Sequence, residues 1–488
     1  SSTPAFWLAL LLLMVFSVWL GWLPVGLSVP IGVEAGSITL ADRLYHAILP
    51  ALTLSITGVA NIALHTREKM IDVMESEYVL FARARGESRR SIVLRHGLRN
   101  VALPAITLQF ASISEIIGGS YAKGLAANED SLLTVKHGDI TTTINGDKTT
   151  STEFVVGGSK VAGGAGANLK TGNISLTITG GTFGKEGKTN DYELVMGGNY
   201  LKASTGDVSV NNTATAENIT VNISGGKFDT SVTGGSVAHV YGSGDKKQVL
   251  SVTDASTSVN ITNGTFRQSS STGQGAIELD PSIIGGGLAL VTGTQGTAIS
   301  TINGNTRVTI NGENVDIKDK VLGGSLAQGK GAKVTIGKEG GTSTSAVVVE
   351  NVNSVGDLVG GNMTEDNRTM EAKDVTATLH GNSSVTVKAG KVEGDIIGGS
   401  YARNAGTVTT NGNTSVVFNA ANSPTVSQAE YIVGGDKVLS NGTATGEITG
   451  TSSVTINNDA SVTTGAVVGG SFRECPAYTL LYQFSPKD

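Results

Sequence analysis

Two different patterns of hydrophobic and polar positions divide this chain. From Ala5 to Leu23 the side chains are apolar almost throughout and none is charged. At about 1.5 Å per residue this stretch is long enough to cross the roughly 30 Å hydrocarbon layer of a bilayer. Trp7, Trp19 and Trp22 lie near its ends, where interfacial aromatic residues are common. The pattern predicts a membrane-spanning α-helix.

Two weaker apolar stretches follow the first. Residues 45–66 form the second candidate span, with Pro50 in its first turns, a position that membrane helices tolerate. Residues 101–117 form the third, which is short and carries Glu115 near its end. A buried helix that does not span the bilayer is the alternative for this third stretch.

The segment between the second and third candidates, residues 67–100, is strongly basic. It contains Arg67, Lys69, Arg83, Arg85, Arg89, Arg90, Arg95 and Arg99. The segment between the first two candidates, residues 24–44, has Arg43 as its only basic residue. Because basic loops stay in the cytoplasm, this difference in basic residues places segment 67–100 inside the cell and segment 24–44 outside. Three spans then bring residue 118 to the outer side of the membrane. An ordinary basic loop beside the membrane is the alternative.

After residue 117 the hydrophobic period changes to two. Ile174 to Ile178 and Ile219 to Ile223 alternate perfectly between aliphatic and polar residues. Such alternation predicts strands with one buried and one solvated face. Each strand is followed by Gly or Asn, residues that tolerate positive φ.

Gly-Gly pairs recur through this second part at intervals of about 37 residues, a period typical of stacked repeats. The pairs begin at Gly118, Gly157, Gly197, Gly234, Gly285, Gly323, Gly360, Gly398, Gly434 and Gly469. We expect them to form the corners of a solenoid, and the predicted corner residues include Gly157, Gly158, Gly197, Gly198, Gly323, Gly324, Gly398 and Gly399.

The predicted fold class is therefore mixed, with N-terminal transmembrane α-helices followed by an all-β repeat domain. A right-handed parallel β-helix with two coils of about 18–20 residues per repeat fits the spacing best. An antiparallel meander or barrel is the alternative. The predicted parts are residues 1–117, 118–472 and a tail of unknown origin, 473–488.

Composition excludes several function classes. The net charge of -6 disfavours a nucleic-acid binder, and the single cysteine, Cys475, excludes an intrachain disulfide and a cysteine-based metal cluster. The six histidines lack metal-ligand spacing. We therefore expect no metal, no cofactor and no enzymatic activity.

Two features of the sequence resemble sites of chemistry. Residues 324–331 nearly match a phosphate-binding loop, but Gly331 replaces the required Ser or Thr and the segment lies among strands. Glu278 and Asp280 lie two residues apart and could share a strand face, and Asp316 could share one with a neighbouring coil, as the carboxylates of polysaccharide-cleaving β-helices do. A solvated edge is the simpler interpretation of all three carboxylates.

The basic loop resembles the cytoplasmic signature loop of binding-protein-dependent ABC importer permeases, in the peptide and nickel branch. The residues that carry the resemblance are Ala82, Arg83, Ala84, Arg85, Gly86, Arg95, His96, Arg99, Asn100 and Pro104. The resemblance covers about residues 5–120. It implies a short coupling helix that docks on a separate ATPase subunit, a second permease subunit, and a location in the bacterial inner membrane. Leu80 stands where the family usually opens the loop with an acidic residue.

The repeats resemble, more weakly, the passenger domains of bacterial autotransporters and related adhesins. That resemblance implies an extracellular β-helix that contacts a host or matrix surface. We therefore expect a chimeric chain, a partial permease fused to an adhesin-like solenoid on the outer side of the membrane. The alternative function is a cell-surface adhesion or structural protein without transport activity.

Overall fold

The computed structural model describes residues 13–20, 85, 113–124, 132–163, 166–184, 194–204, 210–242, 248–266, 279, 281–293, 296–365, 374–403, 406–418, 425–439, 444–457 and 460–474. The chain divides into two compact units, residues 1–112 and residues 113–488.

In the first unit, the described residues include one helical element, a π-helix at Met14–Trp19. No helix among the described residues combines the length and the hydropathy of a membrane span. The rest of the first predicted span, all of residues 45–66 and residues 101–112 lie outside the described part. The end of the third predicted span is not helical, because Ile113–Ile117 is a strand that pairs with Thr150–Val156. Ile116 and Ile117 pack against two different apolar clusters of the solenoid, so this strand belongs to the first coil of the repeat domain.

The second unit is a parallel β-solenoid built from three sheets, and every pairing between its described strands is parallel. Sheet A has two rows of strands. The first row contains Ile140–Ile144, Ile174–Ile178, Ile219–Phe228, Thr257–Phe266, Thr306–Ile317, Ser343–Val355, Gly381–Val387, Thr414–Phe418 and Ser452–Ile456. The second row contains Ile113–Ile117, Thr150–Val156, Leu194–Met196, Ser231–Thr233, Pro281–Ile284, Lys320–Leu322, Leu358–Val359, Ile396–Ile397, Thr425–Val433 and Ser461–Val468. Two short strands, Thr182–Phe183 and Lys391–Val392, lie between the rows.

Sheets B and C complete each coil. Sheet B contains Tyr121–Gly124, Lys160–Gly163, Tyr200–Ser204, Val237–Tyr241, Leu288–Val291, Leu326–Gln328, Met363–Glu365, Tyr401–Arg403, Lys437–Leu439 and Phe472–Glu474. Sheet C contains Leu132–Lys136, Gly166–Lys170, Val210–Ala216, Gln248–Asp254, Gly296–Ile302, Ala332–Ile336, Thr376–Leu379, Gly406–Thr410 and Ala444–Ile448. The chain runs from sheet C through both rows of sheet A to sheet B, and then starts the next coil.

The prediction of a parallel solenoid is confirmed, but the prediction of two coils per repeat is wrong. Strand partners are one full repeat apart, as in the pairing of Val195 with Val232 and of Ile432 with Val467. The four strands of a repeat belong to sheet C, the two rows of sheet A and sheet B, so the two halves of a repeat do not stack on each other. The insertion between Val232 and its partner Ile283 lengthens one coil without changing the register on either side.

Burial follows the alternation that the sequence predicts in the first row of sheet A. Ile174, Leu176 and Ile178 are buried, whereas the residues between them are partly exposed. In sheet B the pattern differs, because all four residues from Val237 to Val240 are buried. One apolar cluster joins sheets B and C, and another joins sheet B to the second row of sheet A. Strands covered on both faces have no reason to alternate.

Candidate functional site

Glycine pairs form the turn between the second row of sheet A and sheet B. All eight predicted corner residues lie in these turns, one pair to each coil. The N–H of Gly158 donates to the carbonyl of Gly198 at 3.0 Å, and the N–H of Gly198 donates to that of Gly235 at 3.1 Å. The same bond repeats along the column, which starts at Gly119 and ends at Gly470 within the described residues. We call this series the glycine column.

Close packing, rather than backbone conformation, accounts for glycine in these turns. A Cβ atom on Gly157 would lie 2.4 Å from the carbonyl oxygen of Gly197, and one on Gly323 would lie 2.5 Å from that of Gly360. No predicted corner glycine has a left-handed φ. Left-handed conformations occur instead where first-row strands end, for example at Gly181 with φ of 115°. Neighbouring coils therefore approach each other too closely at the pairs for any side chain.

A column of buried polar side chains follows the glycine pairs. The N–H of Ser159 donates to Asn199 Oδ1 at 2.9 Å, and the N–H of Ser325 donates to Asn362 Oδ1 at 2.8 Å. All four residues are fully buried. The side chain of each coil thus satisfies a backbone donor of the preceding coil, where the turn interrupts the ladder of the sheets. Our sequence reasoning missed this polar column. The signal was present, because the residue after the pair is Ser, Asn or Asp in every described coil except at Gly287.

Two carboxyl groups belong to this buried polar region. Where Gly287 breaks the column, the Ser236 hydroxyl and N–H donate to Asp254 at 2.6 and 2.7 Å. Burial raises the pKa of Asp254 to about 6, although these hydrogen bonds oppose the rise. Asp436 occupies the column itself and accepts from the N–H of Ser400 at 2.7 Å. Burial raises the pKa of Asp436 to about 7.

Charged side chains beside sheet B are paired within the solenoid. Lys437 Nζ donates to Asp395 Oδ2 at 2.7 Å and lies 4.7 Å from the ring centre of Tyr431. Arg403 lies 3.2 Å from Glu365, a carboxylate that is almost completely buried. Paired charges of this kind are held in place and are not presented to an external ligand.

His239 is the one buried histidine among the described residues. Burial, with Lys202 nearby, lowers the pKa of His239 to about 3, so the ring is neutral at pH 7. Its Nδ1 lies 3.1 Å from the Tyr200 hydroxyl, and its Nε2 lies 3.1 Å from Thr292 Oγ1. Both ring nitrogens therefore serve the packing of sheet B.

The remaining candidates for chemistry do not converge in the described residues. Asp316 accepts a hydrogen bond from the Ser354 hydroxyl at 2.5 Å, whereas Glu278 and Asp280 lie outside the described part. Residues 324–331 contain the sheet B strand Leu326–Gln328 and lead into the sheet C strand that begins at Ala332, so the segment is not followed by the helix that a phosphate site requires. Nowhere in the described part do three His, Cys, Asp or Glu side chains gather as metal ligands.

The predicted coupling loop lies almost entirely outside the described part of the chain. Of its ten named residues only Arg85 is described, and it is exposed in a turn. Evidence on this loop therefore comes from comparison with other proteins.

The N-terminal part of the chain matches a known family. Residues 1–133 match the model of the binding-protein-dependent transport system inner membrane component. The chain is 41% identical over 121 residues to the oligopeptide transport system permease protein AppB of Bacillus subtilis, covering 24% of this chain and 37% of that protein. It is 42% identical over 119 residues to the glutathione transport system permease protein GsiC of Escherichia coli K12, covering 24% and 35%.

The chain thus spans about a third of the length of these relatives. The resemblance of its N-terminal segment to the permeases of peptide importers is confirmed. No solved structure matches the chain. The family match extends past the start of the solenoid, because residues 113–124 lie within it and already form strands of sheets A and B.

Proposed function

We propose that the N-terminal part of the chain acts as a permease component of an ABC importer for peptide-like solutes, in the bacterial inner membrane. The observation that carries the proposal is the match of residues 1–133 to the inner-membrane component of such systems. The named relatives transport oligopeptides and glutathione, which are both peptides. The apolar segment at residues 5–23 and the basic segment at 67–100 fit a membrane protein with a cytoplasmic loop.

Transport by this segment requires partners. A separate ATPase subunit would bind the loop around Ala82 to Gly86, and a second permease subunit would complete the translocation path. Small residues let the loop enter a groove closely, and the arginines can pair with carboxylates of the partner. An outer-side position of the solenoid would require one further crossing between the basic segment and the first strand at Ile113.

Co-purification of the chain with its ATPase tests this proposal. We expect a double change of Arg83 and Arg85 to Glu to abolish recovery of the ATPase, because both charges would then repel the partner's carboxylates. The double change of Arg67 and Lys69 to Glu alters the same charge in the same segment but outside the motif, and it should leave recovery unchanged. Equal recovery with all three proteins would contradict a coupling role for the loop.

The second candidate function is adhesion or a structural role at the cell surface, without transport. The solenoid supports it, because residues 113–474 hold all the described strands and present ladders of polar side chains, such as Asn260 Nδ2 donating to Asn222 Oδ1 at 2.9 Å. Binding of whole cells to host or matrix surfaces, with and without residues 118–472, measures this function. If both strains bind equally, adhesion by the solenoid is excluded.

A further inference from the structure

The last described coil of the solenoid ends in an open edge. Its strands Ser452–Ile456 and Ser461–Val468 contain no charged residue and no proline. Ile456 is 41% exposed and Val467 is 49% exposed, whereas their strand partners Phe418 and Ile432 are fully buried. Edge strands normally carry charges, prolines or a cover that prevent further pairing, and these two strands of sheet A lack the first two.

The glycine column is also open at this end. Glycine is required at every pair before the last described coil, because a Cβ atom there would collide with the next coil. Among the described residues, a Cβ atom on Gly469 or Gly470 would meet nothing within 4 Å. The last described coil thus keeps the small residues that a further coil would require.

We propose that the first coil of a second copy of this chain stacks on the last coil, so that copies associate head to tail. The first coil carries the matching surface. Gly118 and Gly119 begin the same column whose last members are Gly469 and Gly470, and the carbonyl of Gly119 is the acceptor that the N–H of Gly470 lacks within the described residues. The contact continues the pairing that already joins each coil to the next.

The outer column of sheet C adds charge complementarity. It begins with Lys136 beside Lys170, continues through six threonines, and ends with Glu447. Lys136 and Glu447 are both exposed. In the head-to-tail contact Glu447 of one copy is the direct neighbour of Lys136 of the next, and opposite charges facing across a pair of strands are favourable. Such a contact does not close on itself and yields chains of copies.

Light scattering of the full chain in detergent, over a wide range of protein concentration, tests the proposal. The mean mass should rise with concentration. Gly470→Val should remain a single copy, because its side chain would collide with the turn at Gly119 of the next copy. The collision would be of the same kind that a Cβ atom elsewhere in the glycine column would make with the next coil. The melting temperature of single Gly470→Val copies should equal that of the wild type, because no atom of the described residues lies within 4 Å of the place that a Cβ atom on Gly470 would occupy.

A charge exchange supplies the matched control. Glu447→Lys places like charges together and should weaken association about tenfold, which corresponds to about 1.4 kcal/mol. Adding Lys136→Glu to the same chain should restore it. A wild type that stays single at all concentrations, or association of Gly470→Val equal to the wild type, would overturn the proposal. Loss of stability in single Gly470→Val copies would overturn it as well, because it would show that the chain covers its own last coil.

Discussion

At the scale of single residues, the solenoid depends on two neighbouring columns with opposite demands. The glycine column excludes side chains because backbones approach within contact distance, and the polar column beside it requires short side chains that accept a hydrogen bond. Asn and Ser meet the second demand without charge. Asp436 meets it with an ionisable group, and the pKa of that group is therefore raised to about 7.

Asp436 makes stability depend on pH. Below pH 3.8 both the folded and the unfolded chain hold the proton of Asp436, so this group does not make the free energy of unfolding depend on pH there. Between about pH 4 and about pH 7 only the folded chain keeps the proton, so the free energy of unfolding falls as pH rises, by at most about 4 kcal/mol in total. Asp436→Asn should abolish this loss and stabilise the solenoid at pH 8, but change little at pH 4.

Thermal unfolding followed by far-UV circular dichroism at both pH values measures this effect. Asp147→Asn, which removes an exposed carboxylate from the same domain, is the matched control. An Asp436→Asn protein that is less stable than the wild type at pH 8 would show that the charged carboxylate itself is stabilising.

The glycine column makes a second residue-scale prediction. Gly323→Ala places a methyl group 2.5 Å from the Gly360 carbonyl and should lower the free energy of unfolding by about 1–3 kcal/mol. Gly469→Ala introduces the same atoms into open space and should change it by less than about 0.5 kcal/mol. Urea unfolding measures the free energy of unfolding of both variants and of the wild type. Equal losses would mean that glycine is required at the pairs for its conformation and not for close packing.

At the scale of elements, the sequence predicted the strands well where one face is solvated. Ile174–Ile178 and Ile219 to Ile223 alternate in sequence and alternate in burial. Sheet B was harder to predict, because residues covered on both faces give a short apolar run without a period, as at Val237–Tyr241. The strand Ile113–Ile117 was misassigned for a similar reason: Ile116 and Ile117 are consecutive apolar residues that pack on opposite sides, and they follow an apolar segment, so the strand resembled the end of a membrane span.

An aromatic stack joins three successive coils within sheet A. The rings of Phe183 and Phe228 are 4.9 Å apart, and those of Phe228 and Phe266 are 4.6 Å apart and nearly parallel. Phe228→Ala should cost about 3–5 kcal/mol, because it leaves a cavity between two rings that cannot close it. Phe228→Leu keeps most of the volume and should cost less than about 1.5 kcal/mol. Losses of the same size in both variants would contradict a specific role for the stacked ring.

At the scale of the whole molecule, the chain combines an N-terminal segment that matches importer permeases with a β-solenoid. The family match and the solenoid overlap at residues 113–124, where the Gly-Gly-Ser sequence satisfies the permease pattern and also begins the glycine column. The permease segment and the β repeats could both be recognised from the sequence, because each depends on local motifs. The number of coils per repeat could not, because a spacing of about 37 residues is compatible with one long coil or two short ones.

Disulfide formation between engineered cysteines tests most directly whether successive repeats pair with each other. In a chain with Cys475 replaced by serine, cysteines at Thr220 and Ser258 should form a disulfide, because their hydroxyl oxygens are 3.3 Å apart on adjacent strands. Cysteines at Thr220 and Tyr241, about half a repeat apart, should stay reduced. A disulfide in the second pair and none in the first would contradict a solenoid with one coil per repeat.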